Sequence, residues 1–280
     1  VWFKRYETSD YNYIEISNVQ LDEDFKAYAH INANGEEVDF IYLPLFKGAI
    51  IDGKLRSIAG VTPGGNSTAQ NELDAVAACG EGWQIWDWLS REMICDLLVL
   101  ISKSINSQEK FGKGEESGYD PSDTQTYGKL TTGSLVDKGM FFGYNDSTSE
   151  VKVFGIEGFW GNRWDRVLGL LLVDGVWQTK VSPPYNLTGS GYTVHRDFIL
   201  PDSGYLKTTQ SSEVGSIPKS TGGTTSTYYA DYFYRNASGI RVSLCGGACS
   251  SGSYCGSRST YVSSFATNSQ WYAGASPVKK

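Results

Sequence analysis

Two stretches of the chain have the spacing of apolar residues that is typical of helices. In the longer one, from Trp83 to Ile105, apolar residues recur at steps of three and four: Trp86, Leu89, Met93, Leu97, Leu100 and Ile101. This spacing predicts one helix with a wide buried stripe, and the apolar residues between those positions predict that both sides are covered. A shorter helix is predicted from Ser67 to Cys79, because Ser67 and Gln70 form a capping box and Gly80 follows the last turn.

Strands are predicted where β-branched and aromatic residues are concentrated. These runs are 11–16, 27–31, 38–42, 151–156, 170–173, 176–181 and 240–244. Asn34-Gly35 and Asp174-Gly175 lie between pairs of such runs and indicate hairpin turns. Residues 182–226, rich in Pro, Gly, Ser and Thr, are predicted to be long connections. The polar and acidic stretch 111–132 is predicted to be a solvated loop, since it lacks the alternating ligands of a calcium loop.

The segment 158–166 contains two tryptophans, two arginines and two glycines. Such a mixture is typical either of a cation–π binding patch or of core strands with arginines stacked on ring faces. We favour the core interpretation, which predicts that Arg163 and Arg166 are buried against aromatic rings.

The composition excludes several classes of protein. Hydrophobic residues make up 40% of the chain and aromatic residues 14%, which is too much for a disordered chain. The net charge of −7 argues against a nucleic-acid partner, because binding phosphates requires clustered Lys and Arg. The longest apolar stretch, Ile94 to Ile101, is interrupted by Cys95 and Asp96 and is far shorter than the roughly 20 residues that span a bilayer. We therefore expect no membrane insertion.

The chain begins at Val1 and shows no signal-peptide pattern. We expect it to be a fragment or a processed chain, with any anchoring or targeting segment before Val1.

The five cysteines are an odd number, so they cannot all pair within one chain. Cys79 and Cys95 lie among apolar residues of the predicted helices and are expected to be small buried side chains. The other three, Cys245, Cys249 and Cys255, lie in a Gly/Ser-rich tract with no zinc spacing. No metal site is predicted.

The tract 245–272 has a composition of its own. Its 28 residues include eight serines, four glycines, three tyrosines, three cysteines and a single charge, Arg258. Tyr, Ser and Gly are the residues that antibody-like binding surfaces use, because Tyr supplies large contact area at low entropic cost. An ordered, loop-rich contact surface is therefore predicted here.

The same tract carries a resemblance to a known family. Its Gly-Gly-x4-Gly-x3-Gly spacing, followed by a Ser/Tyr-rich stretch and a closing Gly-Ala, resembles the C-terminal ending of C-type-lectin-fold proteins of phage tails and of diversity-generating retroelements. Further segments resemble other parts of the same proteins in the same order. The segments that carry the resemblance are 54–61, 82–100, 106–114, 151–164, 241–256 and 274–277.

The resemblance implies an α+β, C-type lectin-like fold with two helices, twisted antiparallel strands and long loops. Residues 1–39 would form an N-terminal β extension and residues 40–280 the ligand-binding domain. It implies a non-catalytic protein on a virion tail, or alternatively on a bacterial cell surface, that binds a host-cell surface protein or glycan. Other tail proteins would bind through the missing N-terminus, and no cofactor is implied.

The resemblance also implies which residues contact the ligand. They are Ala248, Cys249, Ser250, Ser253, Tyr254, Cys255, Arg258, Thr260, Tyr261, Ser263, Asn268, Trp271 and Tyr272. Tyr254, Arg258, Tyr261, Trp271 and Tyr272 are expected to be the anchors, since Tyr, Trp and Arg dominate binding hot spots. In retroelement-linked members, mutation of template adenines reaches most of these residue types from Asn codons, so the odd cysteines are explained as products of diversification. Gln270 and Trp271 are outside the reachable set and are expected to be fixed or to vary by another route.

Other functions remain as alternatives. The Glu-Pro-Asn, Gln-Pro-Asp and Trp-Asn-Asp sequences of sugar-binding lectins are absent, so a calcium-dependent sugar site is not implied. Formylglycine-generating enzymes share the fold class, and Cys249 with Cys255 would be the copper ligands of such an oxidase, because a soft thiolate pair suits Cu(I). A purely structural virion or adhesin module is the third alternative.

Little else in the sequence is typical of catalysis. Only His30 and His195 are available as bases, and no serine has a nucleophile-elbow pattern. The pairs Glu36-Glu37 and Glu115-Glu116 are expected to be solvated. The group of aromatic residues in 228–234 either packs a strand beneath the binding surface or belongs to it.

Overall fold

The computed structural model describes all residues from Val1 to Lys280 as a mixed α+β fold with three helices. The helices are α1 (Ala69–Ala77), α2 (Trp88–Ser102) and α3 (Ser107–Phe111). The first nine strands are β1 (Trp2–Glu7), β2 (Asn12–Ser17), β3 (Ala49–Ile51), β4 (Lys54–Arg56), β5 (Trp83–Ile85), β6 (Phe142–Gly143), β7 (Val151–Val153), β8 (Ile156–Glu157) and β9 (Trp164–Val173). The others are β10 (Val176–Thr179), β11 (Thr193–His195), β12 (Gly204–Ser212), β13 (Gly215–Thr221), β14 (Tyr232–Arg235), β15 (Ile240–Cys245), β16 (Thr260–Ser264), β17 (Ala273–Gly274) and β18 (Pro277–Lys279). The predicted fold class, α+β, is confirmed, but α3 is a third helix where the resemblance implies two.

The main sheet has the strand order β11-β10-β9-β15-β16-β14-β12-β13, and β17 pairs with β9 off this path. Most neighbours are antiparallel, whereas β14–β16 and β17–β9 are parallel. The long central strand β9 is buried along nearly its whole length, as expected for a strand that is covered on both faces.

Helix α2 lies between two parts of the core, as its apolar pattern predicts. Met93, Ile94 and Leu98 pack in one cluster with β7 and β8, whereas Trp88 and Leu89 pack in another with the main sheet. The helix begins later than predicted, because Asp87 caps it by accepting a hydrogen bond from the Ser90 N–H at 3.1 Å. The preceding residues form β5, which pairs with β18. Leu100 and Ile101, predicted to be buried, are 58% and 50% exposed.

The shorter helix is also confirmed, but the predicted capping box is wrong. Thr68 is the N-cap residue, and its hydroxyl accepts a hydrogen bond from the Asn71 N–H at 3.2 Å. The hydroxyl of Ser67 instead contacts the carbonyl of Thr68, so the helix begins one residue later.

Two predictions about β structure are wrong. Residues 27–31 and 38–42 form a 3-10 turn (Tyr28–His30) and isolated bridges instead of strands. The side chain of Asn32 accepts hydrogen bonds from two nearby backbone N–H groups and holds a local loop there. Conversely, the predicted connections 182–226 contain β11 and the β12–β13 hairpin. Thr and Ser side chains bond across that hairpin, as between Thr208 and Ser220 at 2.6 Å, so polar composition does not prevent strand pairing.

The hairpin around Asp174-Gly175 is confirmed, with both residues at positive φ between β9 and β10. Residues 158–166 lie in the core, as predicted. The predicted stacking of Arg163 and Arg166 on aromatic rings is wrong. Arg166 pairs with Glu72 at 2.5 Å, and the buried rings of Trp86 and Phe159 are instead covered by Arg91. Cys95 is buried as predicted, whereas Cys79 is half-buried.

None of the helices combines the length and the apolar character that a bilayer span requires.

Candidate binding surface

The C-terminal tract begins at a tightly packed glycine turn. β15 ends in Gly246-Gly247, where both glycines have φ above 90°, a conformation that L side chains rarely adopt. A Cβ on Gly247 would overlap the Sγ of Cys255. The Gly-Gly pair therefore holds the following segment against the core. The chain continues through a 3-10 turn (Gly252–Tyr254), β16 and a loop to β17.

Five of the thirteen predicted contact residues are buried in the fold, so their prediction as contact residues is wrong. They are Ala248, Cys249, Cys255, Arg258 and Thr260, each at most 7% exposed. A large ligand cannot reach these side chains in this conformation, so they are not part of the candidate surface. For Thr260 the reason is strand alternation, since it and Val262 point to the opposite side of β16 from Tyr261.

Arg258, a predicted anchor, belongs to an interior ion network. Its guanidinium donates to Glu92 at 2.7 Å and to Asp96 at 2.5 Å, and both carboxylates lie on α2. Arg5 of β1 binds the other oxygen of Asp96 at 2.7 Å. Burial raises the pKa of Glu92, while Arg258 opposes this rise. Arg258 thus ties the tract to α2 and, through Asp96, to the N-terminal hairpin.

The remaining predicted residues are accessible. Ser250 is exposed, and Ser253, Tyr254, Tyr261, Ser263, Asn268, Trp271 and Tyr272 are half-buried. Three of them join a continuous set of aromatic side chains, which we call the tyrosine face. It consists of Tyr205, Tyr232, Tyr234, Tyr254, Tyr261 and Tyr272, all half-buried.

Strand register explains how the tyrosine face forms. Tyr205 of β12 lies opposite Tyr232 of β14, and Tyr234 of β14 lies opposite Tyr261 of β16. Side chains alternate along a strand, so Phe233 points the other way into the core. The group 228–234 therefore contains both a core residue and surface tyrosines.

Ring contacts connect five of these tyrosines, and Tyr272 packs with Tyr234 and Tyr261 against the cluster that contains Trp164. Tyr254 lies in the 3-10 turn. The centroid of its ring is 4.2 Å from that of Tyr232 and 5.6 Å from that of Tyr205. Tyr234 and Tyr261 are 5.4 Å apart, above the buried Trp164. Burial raises the pKa of Tyr205 and Tyr234, so both keep their hydroxyl proton at neutral pH. The face therefore offers apolar area together with hydrogen-bonding hydroxyls.

A second aromatic group, the tryptophan stack, adjoins the face through Tyr272. The ring of Trp271 stacks at 4.8 Å from both Tyr119 and Tyr127, and the Lys129 Nζ lies 4.8 Å from its centroid. Trp271 and Tyr272 are in edge contact at 5.6 Å. Because Trp271 is packed on both the 119–129 loop and the C-terminal tract, it has a structural role that favours a fixed residue.

Several residues of this surface are absent from the sequence prediction. Tyr119, Tyr127 and Tyr205 are distant from the tract in sequence, and no local pattern relates them to it. Tyr232 and Tyr234 do carry a signal, since the sequence places an aromatic cluster in 228–234 that is typical either of the core or of the surface.

The tract cysteines lie in an environment that disfavours thiolates. Burial raises the pKa of Cys249 to about 12 and that of Cys255 well above its usual range. Thiolates are the species that bind copper. Lys129 and Arg163 near Cys249 lower its pKa, but less than burial raises it. No group of three or more His, Cys, Asp and Glu side chains is arranged to hold a metal ion.

The two histidines make hydrogen bonds within the fold. His30 Nδ1 is hydrogen-bonded with the carbonyl of Val38 at 3.0 Å. His195 Nε2 is hydrogen-bonded with the Thr179 hydroxyl at 2.7 Å, and its ring stacks on Phe198. Burial lowers the pKa of both, so neither is charged at neutral pH.

The prediction that Glu115-Glu116 is solvated is wrong, since both residues are buried. Glu115 accepts hydrogen bonds from the Leu130 N–H at 3.1 and 3.2 Å. Burial, together with the nearby Glu150, raises its pKa to about 9. Glu116 accepts a hydrogen bond from the Ser147 hydroxyl at 2.9 Å. These contacts hold the start of the 111–132 stretch in the core, and only its later part forms an exposed loop.

The pKa of Glu115 predicts a pH dependence of stability. Its ordinary pKa is 4.5, so the folded state binds this proton more tightly than the unfolded state. The stability from this group is full below about pH 4.5 and is lost as the pH rises to about 9. The glutamine of Glu115→Gln mimics the protonated group. In urea unfolding between pH 5 and 9, we therefore expect the free energy of unfolding of this variant to fall less steeply with rising pH than that of the wild type. Exposed Glu36→Gln is the control, and equal slopes for wild type and Glu115→Gln would contradict the prediction.

No known protein family and no curated protein matches this chain.

Proposed function

We propose that this protein is a non-catalytic binding protein with a C-type lectin-like fold, which recognises a host-cell surface protein or glycan through the tyrosine face. A phage tail is the proposed location, with a bacterial cell surface as the alternative. The observation that carries the proposal is the continuous surface of six half-buried tyrosines, three of them from the tract. Exposed surfaces of this type are typical of interaction sites.

The arrangement of the tract supports a division between frame and contact surface. The glycine turn, Cys255 and Arg258 fix the backbone from the inside. Ser250, Ser253 and Tyr254 lie on the outer side of the same segment. Because the fixing contacts do not involve the accessible tyrosine and serines, those residues can change without removing the frame. If the tract is diversified, we propose that only its accessible positions vary.

Two matched libraries test this division. One randomises the accessible positions Ser250, Ser253, Tyr254, Tyr261, Ser263, Asn268 and Tyr272, and the other randomises the buried positions Ala248, Cys249, Cys255, Arg258 and Thr260. We expect most members of the first to melt cooperatively within a few degrees of the wild type and most members of the second to unfold. Selection of the first library on an immobilised test protein is expected to yield binders.

The opposite results would reject the proposal. If the accessible library unfolds as often as the buried one, the tyrosines act as core residues. If it folds but yields no binders, the face is a structural surface, as in the alternative of a virion or adhesin module.

A further inference from the structure

A polar pocket lies beside the tryptophan stack and is separate from the tyrosine face. It has a volume of about 250 Å³ and includes Thr62, Gly65, Asn66, Glu72, Gln125 and Arg163 in its lining. The carbonyl of Trp271 lies next to Gly65, and Gln125 belongs to the same loop as Tyr127. This volume is below that of sites for drug-sized molecules and suits one small polar group.

Arg163 is the unusual member of the pocket. It is only 4% exposed, its Nε is buried without a hydrogen-bond partner, and no carboxylate lies within ion-pair distance of its guanidinium. Gly65 leaves room for the guanidinium, because a Cβ at that position would overlap Nη1 of Arg163. Buried charges are normally paired, since an uncompensated one is costly. Arg258 and Arg166, which are also buried, each have a carboxylate partner.

The nearby acidic groups do not neutralise Arg163. Glu72 is bound to Arg166 at 2.5 Å. Glu115, which interacts with Arg163 electrostatically, has a pKa of about 9 and is therefore mostly protonated at neutral pH. Burial lowers the pKa of Arg163 to about 10, which still leaves it charged. Glu72, the one acidic side chain in the lining, is thus already paired with Arg166, and Arg163 is left without a counter-charge.

We propose that this pocket binds a carboxylate group, held by the guanidinium of Arg163. A planar guanidinium matches a carboxylate through two parallel N–H···O bonds. Thr62, Asn66 and Gln125 supply polar groups around the site. A free acid, an acidic sugar and an acidic side chain all carry this chemistry. The inference does not depend on the tyrosine face, because none of the residues that line the pocket belongs to that face.

Titration of the full chain followed by amide NMR tests the site. The probes are acetate, glucuronate and N-acetylglutamate, with glucose as the neutral control. We expect saturable shifts at the amides of Gly64, Gly65, Asn66 and Gln125 with at least one acid, and none with glucose. The acid that binds most tightly identifies the source of the carboxylate: acetate a free acid, glucuronate a sugar, and N-acetylglutamate a side chain.

Variants separate the site from the fold. Arg163→Gln is expected to weaken binding at least tenfold, whereas Arg163→Lys keeps part of it. The matched pair Gln125→Glu and Gln125→Lys changes only an exposed lining residue. We expect Gln125→Glu to weaken binding of the acid several-fold and Gln125→Lys to strengthen it several-fold. If Arg163→Gln does not fold, this pair of variants decides the outcome. No saturable shift with any acid, equal binding of glucose, or unchanged affinity in folded Arg163→Gln or in both Gln125 variants would overturn the proposal.

Discussion

Arg258→Met is expected to lower the free energy of unfolding by about 3–5 kcal/mol, because it leaves two buried carboxylates without their shared partner. Arg258 is the only side chain that bonds both Glu92 and Asp96. Arg5 would still pair with Asp96, and the Ser216 N–H would still donate to Glu92. Methionine keeps much of the arginine side-chain volume. The decrease in the free energy of unfolding therefore reflects the lost charge and not a cavity. Urea denaturation at neutral pH measures it.

The matched control for this variant is an exposed pair. Arg235 binds Asp202, which is 85% exposed, and Arg235→Met is expected to change stability by at most about 1 kcal/mol. The result that would contradict the account is an Arg258→Met protein with unchanged stability and lost ligand binding. Arg258 would then be the surface anchor that the sequence alone predicts.

Tyr254→Ala is expected to have the largest single effect on binding. Its ring contacts three other tyrosines of the face, Tyr205, Tyr232 and Tyr234. It is therefore surrounded by other residues of the proposed contact surface. Central aromatic residues are typical hot spots, and truncation costs about 2–4 kcal/mol, or roughly 30- to 1,000-fold in Kd. Titration of labelled protein onto intact cells of a bacterial strain that the wild type binds gives the affinity.

The control for Tyr254→Ala is another accessible tyrosine. Tyr11 is 67% exposed, lies in the turn between β1 and β2 and is outside the tyrosine face. Tyr11→Ala is expected to bind cells with the wild-type affinity. If both variants lose affinity equally, or if Tyr254→Ala binds like the wild type while remaining folded, the face is not the contact surface.

The sequence predicts elements where local spacing determines them. The buried stripe on α2, apart from the exposed Leu100 and Ile101, and the Asp174-Gly175 turn are local features, and both are present. The ends of the helices depend on single hydrogen bonds that the spacing does not show. The hydrogen bond from the Ser90 N–H to Asp87, for example, starts α2 later than the apolar pattern predicts. The β12–β13 hairpin was missed because its strands are rich in Thr and Ser, whose side chains bond across the pair instead of marking a loop.

The candidate surface was predictable only in part. The composition of the tract predicts a contact surface, and Tyr254, Tyr261 and Tyr272, which the resemblance places in it, are all accessible. Arg258 was misplaced because its partners lie on α2, and nothing in the pattern of that helix marks Glu92 and Asp96 as buried. Tyr205 and Tyr127 reach the surface through strand order and loop packing. These long-range relations are not encoded in any local pattern.

The central claim is that the tyrosine face binds the ligand and does not hold the fold together. Its most direct measurement is the adsorption to bacterial cells of a variant with Tyr232, Tyr254, Tyr261 and Tyr272 changed to Ser, beside one with Tyr11 and Tyr13 changed to Ser. The account predicts that the first loses adsorption while still melting cooperatively, and that the second adsorbs like the wild type. Undiminished adsorption of the folded first variant would contradict it.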